Sequence, residues 1–72
     1  MPKLYSGRDI ITRLKRLGFM IVSQKGSHIK MRGVRGGKLQ TTIVPNHKEI
    51  ALGTLASLLK QANVTKQELE DA

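Results

Sequence analysis

The chain has 72 residues, carries a formal charge of +8 and contains no cysteine. A chain of this length forms one small domain with a thin core, and without cysteine it has neither a disulfide nor a thiol nucleophile. Its longest apolar run, Phe19 to Val22, is far too short to span a membrane, and its first residues lack the apolar segment of a signal peptide. We therefore expect residues 1–72 to form a single cytoplasmic domain without membrane association.

The positive charge is concentrated in the first two thirds of the chain. Residues 1–48 contain eleven Lys and Arg and one acidic residue, whereas residues 49–72 contain two basic and four acidic residues. This asymmetry favours a surface that faces a polyanion. Nucleic acid ranks ahead of an anionic membrane, because no amphipathic helix carries an aromatic anchor. A general role of the charge in solubility is the other explanation that stays open.

The first predicted element is a helix over residues 7–17. Ser6 and Asp9 have the spacing of an N-cap and the third helical residue. The apolar residues of one helical face follow at the right spacing: Ile10, Ile11, Leu14 and Leu17. Gly18 stands where a glycine commonly ends a helix. The basic side chains of this helix are expected to face solvent, with contact to RNA or to a partner as the alternative.

Three short strands are predicted next, over residues 19–23, 27–32 and 38–44. The second and third strands alternate between apolar and polar side chains. Pro45 ends the third strand, because proline has no N–H to donate to the sheet. The glycine-rich segment 33–37 is predicted to be the hairpin loop between these two strands.

The predicted hairpin assigns side chains to the two faces of the sheet. Three antiparallel strands with helices on one face leave the other face in water. The covered face is expected to hold Ile29, Met31, Leu39 and Ile43. The predicted cross-strand pairs are His28 with Thr42, Lys30 with Gln40, and Arg32 with Lys38. The face in water is therefore expected to carry a histidine, three cations and two uncharged polar side chains.

The last third of the chain is predicted to be helical. Asn46 and Glu49 have the spacing of a capping box at its entry, and Thr54 is expected to cap a second segment. That segment carries an apolar stripe, Leu55, Leu58, Leu59 and Ala62, and ends at Asn63. Thr65 and Glu68 repeat the capping-box spacing before a short, acidic last turn. The predicted class is α+β, with the order α-β-β-β-α.

His28 and His47 are the candidate acid–base residues, because imidazole titrates at about pH 6.5 and can both take and give a proton. Cleavage of RNA requires a base for the 2′-hydroxyl proton and an acid for the departing 5′ oxygen. Nearby cations stabilise the charge on the phosphoryl oxygens. Lys25 and Lys30 flank His28 in the sequence. His47 follows the end of the strand that faces the 24–28 turn, so a two-histidine pair and a purely structural role both stay open.

Other chemistries have little support in the sequence. No acidic residue has ligand spacing with either histidine, so no metal ion or cofactor is expected. A serine hydrolase is disfavoured, because Ser27 and His28 are adjacent and would point to opposite faces of a strand.

Several motifs, taken together, resemble the HicA toxin family over nearly the whole chain. They are Gly26-Ser27-His28 after a short strand, Pro45-Asn46-His47, Gly53-Thr54-Leu55 and Leu58-Leu59-Lys60-Gln61-Ala62, with Ser6-Gly7 and Leu17-Gly18-Phe19 near the start. Members of that family are small messenger-RNA endonucleases of type II toxin–antitoxin systems. They have an α-β-β-β-α fold like that of double-stranded-RNA-binding domains. The resemblance therefore implies one HicA-like domain over residues 1–72.

The resemblance also implies the site and the partners. The catalytic histidine of the family lies in the Gly-Ser-His motif, which corresponds to His28, and no catalytic role is carried over to His47. A HicB-like antitoxin is the implied partner, and it covers the catalytic histidine. With messenger RNA as substrate, the expected RNA contacts are Lys25, Gly26, Ser27, Lys30, Arg32 and Lys38.

Two other functions stay open. A non-catalytic double-stranded-RNA-binding module of the same fold is one, although such modules carry a basic cluster where this chain has Asn46-His47-Lys48-Glu49. A protein-binding module whose basic face meets an acidic partner is the other.

Overall fold

The computed structural model describes residues 4–72. One helix is followed by three strands and two further helices: α1 Gly7–Arg16, β1 Met20–Lys25, β2 His28–Arg35, β3 Lys38–Pro45, α2 Leu52–Ala62 and α3 Lys66–Asp71. The strands form an antiparallel sheet in the order β1-β2-β3, and the helices pack around a shared apolar core on one side of it. The predicted α+β class, with its resemblance to double-stranded-RNA-binding domains, is confirmed. Within this part of the chain, the helices are too short and too polar to cross a membrane.

The first helix has the predicted bounds to within one residue. The Ser6 hydroxyl accepts a hydrogen bond from the Asp9 N–H at 3.0 Å, which satisfies a donor that the helix itself leaves free. Gly18 follows the helix with a φ of +98°, a conformation that glycine adopts readily. Ile10 and Leu14 are fully buried, as the apolar spacing predicts.

The hairpin between β2 and β3 differs from its prediction. The turn contains only Gly36 and Gly37, with φ of +61° and +76°, which suits the tight two-residue turns of hairpins. β2 therefore continues through Gly33 as far as Arg35. Gly33 occurs inside a strand because the Phe19 ring packs on it: a Cβ there would lie 2.9 Å from the Phe19 Cγ. The predicted 33–37 loop is wrong.

The shorter turn moves the register of β3 by three residues. His28 pairs with Pro45, Lys30 with Ile43 and Arg32 with Thr41. Because side chains alternate along a strand, an odd shift exchanges the two faces of β3. The predicted cross-strand pairs are therefore wrong, although the side chains of β2 keep their predicted faces.

The two faces of β3 consequently carry different residues from those expected. Thr42 and Val44 are buried beneath the helices, whereas Leu39 and Ile43 are 63% and 46% exposed. The expectation of a covered face is confirmed for Ile29 and Met31 and wrong for Leu39 and Ile43. We call the sheet surface away from the helices the open face. On β2 it carries His28, Lys30, Arg32 and Val34, and on β3 it carries Leu39, Thr41, Ile43 and Pro45.

The segment between β3 and α2 is not helical. The predicted cap at Asn46 is wrong, and α2 begins at Leu52 without a side-chain cap, so that Thr54 lies inside the helix. Hydrogen bonds to distant backbone determine the path of the segment. The Asn46 N–H donates to the Ser27 carbonyl at 2.7 Å, and the Gly7 N–H donates to the His47 carbonyl at 2.8 Å.

The second helix buries the predicted stripe against the sheet. Leu55, Leu58, Leu59 and Ala62 are all buried, and Asn63 ends the helix in the left-handed conformation. The Thr42 hydroxyl donates a hydrogen bond to the Leu58 carbonyl at 2.8 Å. This bond satisfies a polar group that the register places in the core.

The third helix is connected to both α1 and the sheet by arginines. Its predicted capping box is present, with Thr65 and Glu68 bonding each other's backbone N–H. The Arg13 guanidinium donates to the Leu69 carbonyl at 3.1 Å and to the Glu70 carbonyl at 2.9 Å. Arg35 forms an ion pair with Glu68. The expectation that the basic residues of α1 face solvent is therefore wrong for Arg13, which binds two carbonyl groups more than fifty positions away.

Gly7→Ala is expected to lower the free energy of unfolding by about 2 kcal/mol. The added methyl group would overlap the Pro45 carbonyl and lie 2.8 Å from the Asn46 Cα, so the segment after β3 would have to move. Gly53→Ala is the matched control: nothing lies within 4 Å of its added methyl group, and alanine is the better helix former. Urea unfolding measures both variants, and equal effects in the two would contradict the packing argument.

Glu68→Gln is expected to destabilise the fold at about pH 7 and to have a smaller effect at about pH 3. The Thr65 N–H bonded to the carboxylate, and then the Arg35 guanidinium, lower the pKa of Glu68 below its ordinary value of 4.5. A carboxyl whose pKa is lowered by folding stabilises the protein above its unfolded pKa, and this stabilisation is lost as the pH falls through the folded pKa. Urea unfolding at both pH values tests this expectation. A difference that is independent of pH would contradict it.

Candidate functional site

The turn between β1 and β2 presents a histidine and a lysine side by side. β1 ends at Lys25, Gly26 takes a φ of +59°, and β2 begins at His28. Lys25 and His28 are direct cross-strand partners, so their side chains leave the same face of the sheet. Both side chains are exposed. The turn therefore projects an imidazole and an ammonium group together at one end of the open face.

The open face continues from this turn with more cations. Lys30 lies two residues beyond His28 on β2, next to Ser23 of β1. Arg32 follows, and its Nε donates a hydrogen bond to the Thr41 hydroxyl at 3.1 Å, which restrains the half-buried guanidinium. A groove of about 240 Å³ in this region is lined by Ser23, Lys25, His28, Lys30 and Ile43. Three of the predicted RNA-contacting cations thus share one surface with His28.

Lys38 is not part of this surface. It pairs with Arg35 beside the Gly36-Gly37 turn, on the side of the sheet that faces the helices and at the opposite end from His28. The prediction that groups Lys38 with Arg32 fails because it assumes the longer hairpin loop. The same assumption predicts that Ile43 lies beneath the helices, whereas it lines the groove beside His28. Recognising Gly36-Gly37 as the turn would have placed both correctly.

His47 borders a second cleft, next to the first. This cleft, of about 250 Å³, is lined by His28, Pro45, His47, Glu49, Ile50, Ala51 and Thr54. The two histidines therefore face one shared space, although His47 is on the loop after β3 and not on a strand. The His47 Nε2 lies 3.4 Å from the Ser27 hydroxyl, in the turn that carries His28. The sequence predicts only helix-cap roles for Glu49 and Thr54, and no local pattern in it predicts that they line a cleft.

Backbone hydrogen bonds hold the two sides of this cleft together. The bond from the Asn46 N–H to the Ser27 carbonyl joins the loop after β3 to the turn before β2. The Gly7 N–H and the Tyr5 carbonyl bind the same loop at His47 and at Ile50. The positions of both histidines are thus determined by contacts among three segments that are distant in the sequence.

The charges around the cleft suit an anion. Lys25 and Lys30 flank His28, and Glu49 is the acidic residue that lines the space. Two of the other acidic side chains are paired with arginines elsewhere, Asp9 with Arg13 and Glu68 with Arg35. Within residues 4–72, no three His, Asp or Glu side chains are grouped as metal ligands would be. The arrangement can bind a phosphate through its cations and transfer protons through its imidazoles.

The chain matches a known family over most of its length. The family model described as the HicA toxin of bacterial toxin–antitoxin systems matches residues 7–64, from the first residue of α1 to just beyond α2. No curated protein is similar enough to the chain to count as a match. The matched range includes both histidines and every residue of the open face.

Proposed function

The chain belongs to the HicA toxin family of bacterial toxin–antitoxin systems, and on that premise we propose that it is a messenger-RNA endonuclease with His28 as its acid–base residue. One observation carries the proposal: His28 is exposed on the open face between two lysines, at the mouth of a cleft that holds a second histidine. The substrate is in the cytoplasm, where the toxin is proposed to act.

The proposed reaction is an internal transfer at phosphorus. An imidazole removes the proton of the 2′-hydroxyl, and the 2′ oxygen then forms a bond to the adjacent phosphorus. The bond from phosphorus to the 5′ oxygen breaks, and that oxygen takes a proton from an acid, which leaves a 2′,3′-cyclic phosphate and a free 5′-hydroxyl. The reaction needs no metal ion, because protein cations can stabilise the charge on the phosphoryl oxygens.

The cations of the open face are proposed to hold the RNA backbone. Lys25 and Lys30 are close enough to His28 to share a groove with it, and they are proposed to contact the phosphate that is cleaved. Arg32, restrained by Thr41, is proposed to bind a neighbouring phosphate. Gly26 and Ser27 form a turn without bulky side chains, which lets the RNA approach the backbone closely.

His47 is proposed to be the second proton-transfer group. It lines the cleft that His28 lines, and its Nε2 is close to the Ser27 hydroxyl, which can orient the ring. The bond from the Gly7 N–H to its carbonyl restrains its backbone. Two imidazoles at one phosphate can act as base and acid in the same turnover.

His28→Ala is expected to reduce RNA cleavage by about 100-fold or more, because acid–base catalysis contributes at least about that factor. The variant should fold normally and lose the ability to arrest growth when expressed, since His28 is exposed. Cleavage of a synthetic messenger RNA measures the loss. Lys66→Ala, which removes an exposed cation at the start of α3, is the control.

A substrate control separates catalysis from binding. RNA with a 2′-deoxy nucleotide at the cleavage site should bind but resist cleavage, because it lacks the attacking hydroxyl. Cleavage of that RNA, or full activity of His28→Ala, would overturn the mechanism. Salt-dependent binding of duplex RNA without any cleavage would instead identify a non-catalytic RNA-binding module.

His47→Ala is expected to slow cleavage of ordinary RNA by about 100-fold. It should cleave RNA with sulfur in place of the 5′ bridging oxygen to within about tenfold of the wild-type rate, because a thiolate leaves without protonation. His28→Ala should remain slow on the sulfur substrate if His28 is the base. Single-turnover kinetics on both substrates measure these rates. Equal impairment of His47→Ala on the two substrates would show that His47 is not the acid.

A further inference from the structure

The open face has an apolar end that the catalytic proposal does not use. Met20, Val34 and Leu39 are 64%, 66% and 63% exposed. Val34 and Leu39 are direct cross-strand partners, and Met20 pairs with Arg32, the neighbour of Val34 on this face. We call these three residues the apolar end. Val34 is six positions after His28 on β2, a distance of about 20 Å along the strand.

The apolar end is not a remnant of an incomplete core. The register points these side chains away from the helices, so they cannot join the core without a shift of the strand. Val34 and Leu39 also lie on or beside β3, which is an edge strand with unpaired backbone groups. An exposed apolar cluster beside the edge of a sheet favours association with another protein, and such clusters commonly mark binding surfaces.

RNA is a poor occupant for this cluster. Unpaired bases bind proteins by stacking on aromatic rings or on guanidinium planes. The apolar end consists of aliphatic side chains and one thioether, and Phe19 is buried on the other side of the sheet. These side chains offer the sugar–phosphate backbone no hydrogen-bond donor or charge.

A second copy of the chain is also a poor occupant. Two copies packed through the apolar end would bring Arg32 and Lys30 of one close to the same residues of the other. Each chain carries a formal charge of +8, so like charges would meet in the contact. The charges that border the apolar end are complementary to an acidic partner.

We propose that the antitoxin of this system docks on the apolar end of the open face. It would bring an acidic surface with an apolar ridge, packing the ridge on Val34, Leu39 and Met20 and its carboxylates on Arg32. The inference rests on the proposed function only in taking the partner to be the antitoxin of this toxin. The apolar contacts of the complex are then about 20 Å from the catalytic histidine. Antitoxin binding and RNA cleavage share Arg32 and otherwise depend on different residues of the open face.

The test uses threonine substitutions, which remove apolar surface and preserve the tendency to form strands. Val34→Thr, Leu39→Thr and the double variant are compared with Leu52→Thr, which alters an equally aliphatic, 49% exposed residue at the start of α2. The probe is the purified antitoxin, identified as the protein whose co-expression prevents growth arrest by this chain. Binding is measured by titration calorimetry, and cleavage of a synthetic messenger RNA is measured on the same samples.

The double variant is expected to bind the antitoxin about 100-fold more weakly, and Leu52→Thr should bind like the wild type. RNA cleavage should be unchanged in all of them. Unchanged affinity in the folded double variant would overturn the proposal. A loss of RNA cleavage would assign the cluster to the RNA site, and a wild-type dimer that the substitutions dissociate would assign it to a second copy.

The experiment still tests the docking surface if the double variant does not fold, and it separates antitoxin binding from nuclease activity. The single variants remove less surface each and are expected to weaken binding by about tenfold, so the proposal is still tested if the double variant does not fold. A wild-type protein that binds the antitoxin through these residues but cleaves no RNA would refute the proposed nuclease function and leave the docking surface standing.

Discussion

The two-residue turn at Gly36-Gly37 is the constraint on which the rest of the structure depends. It fixes the pairing of β2 with β3. Because side chains alternate along a strand, this pairing determines which side chains of β3 point into the core. Thr42 and Val44 are buried for this reason, and Leu39 and Ile43 are not. Both the groove beside His28 and the apolar end are thus consequences of a single backbone turn, which only residues that tolerate positive φ can form.

The sequence predicts well the elements whose determinants are local. The cap at Ser6, the leucine stripe of α2 and the capping box at Glu68 each depend on residues within about two helical turns, and each is confirmed. The register fails because the glycines at 33, 36 and 37 look alike in the sequence, although only the last two form the turn. Gly33 is a strand residue because of Phe19, a contact that requires the folded sheet.

In the candidate site, too, the sequence predicts the features that depend on neighbouring residues and not those that depend on distant contacts. The signal for His28, Lys25 and Lys30 is local, since a tight turn and strand alternation suffice to place them together. The approach of His47 to Ser27 depends on hydrogen bonds from Gly7 and Asn46, which join segments nineteen or more residues apart. No periodicity predicts contacts of that kind. For the same reason the lining of the cleft by Glu49 and Thr54 follows only from the structure.

The hydrogen bond between the Thr42 hydroxyl and the Leu58 carbonyl determines how far along the sheet α2 lies. Leucine side chains packed on a strand attract without direction, so they would tolerate a helix displaced along its axis by one turn, about 5.4 Å. The buried hydroxyl of Thr42 does not tolerate such a displacement, because losing the Leu58 carbonyl would leave it without a hydrogen bond in the core. The hydroxyl therefore selects one axial position of the helix. The first turn of α2 contributes Thr54 to the lining of the cleft. The width of the cleft therefore depends on Thr42, a buried side chain that does not itself line the cleft.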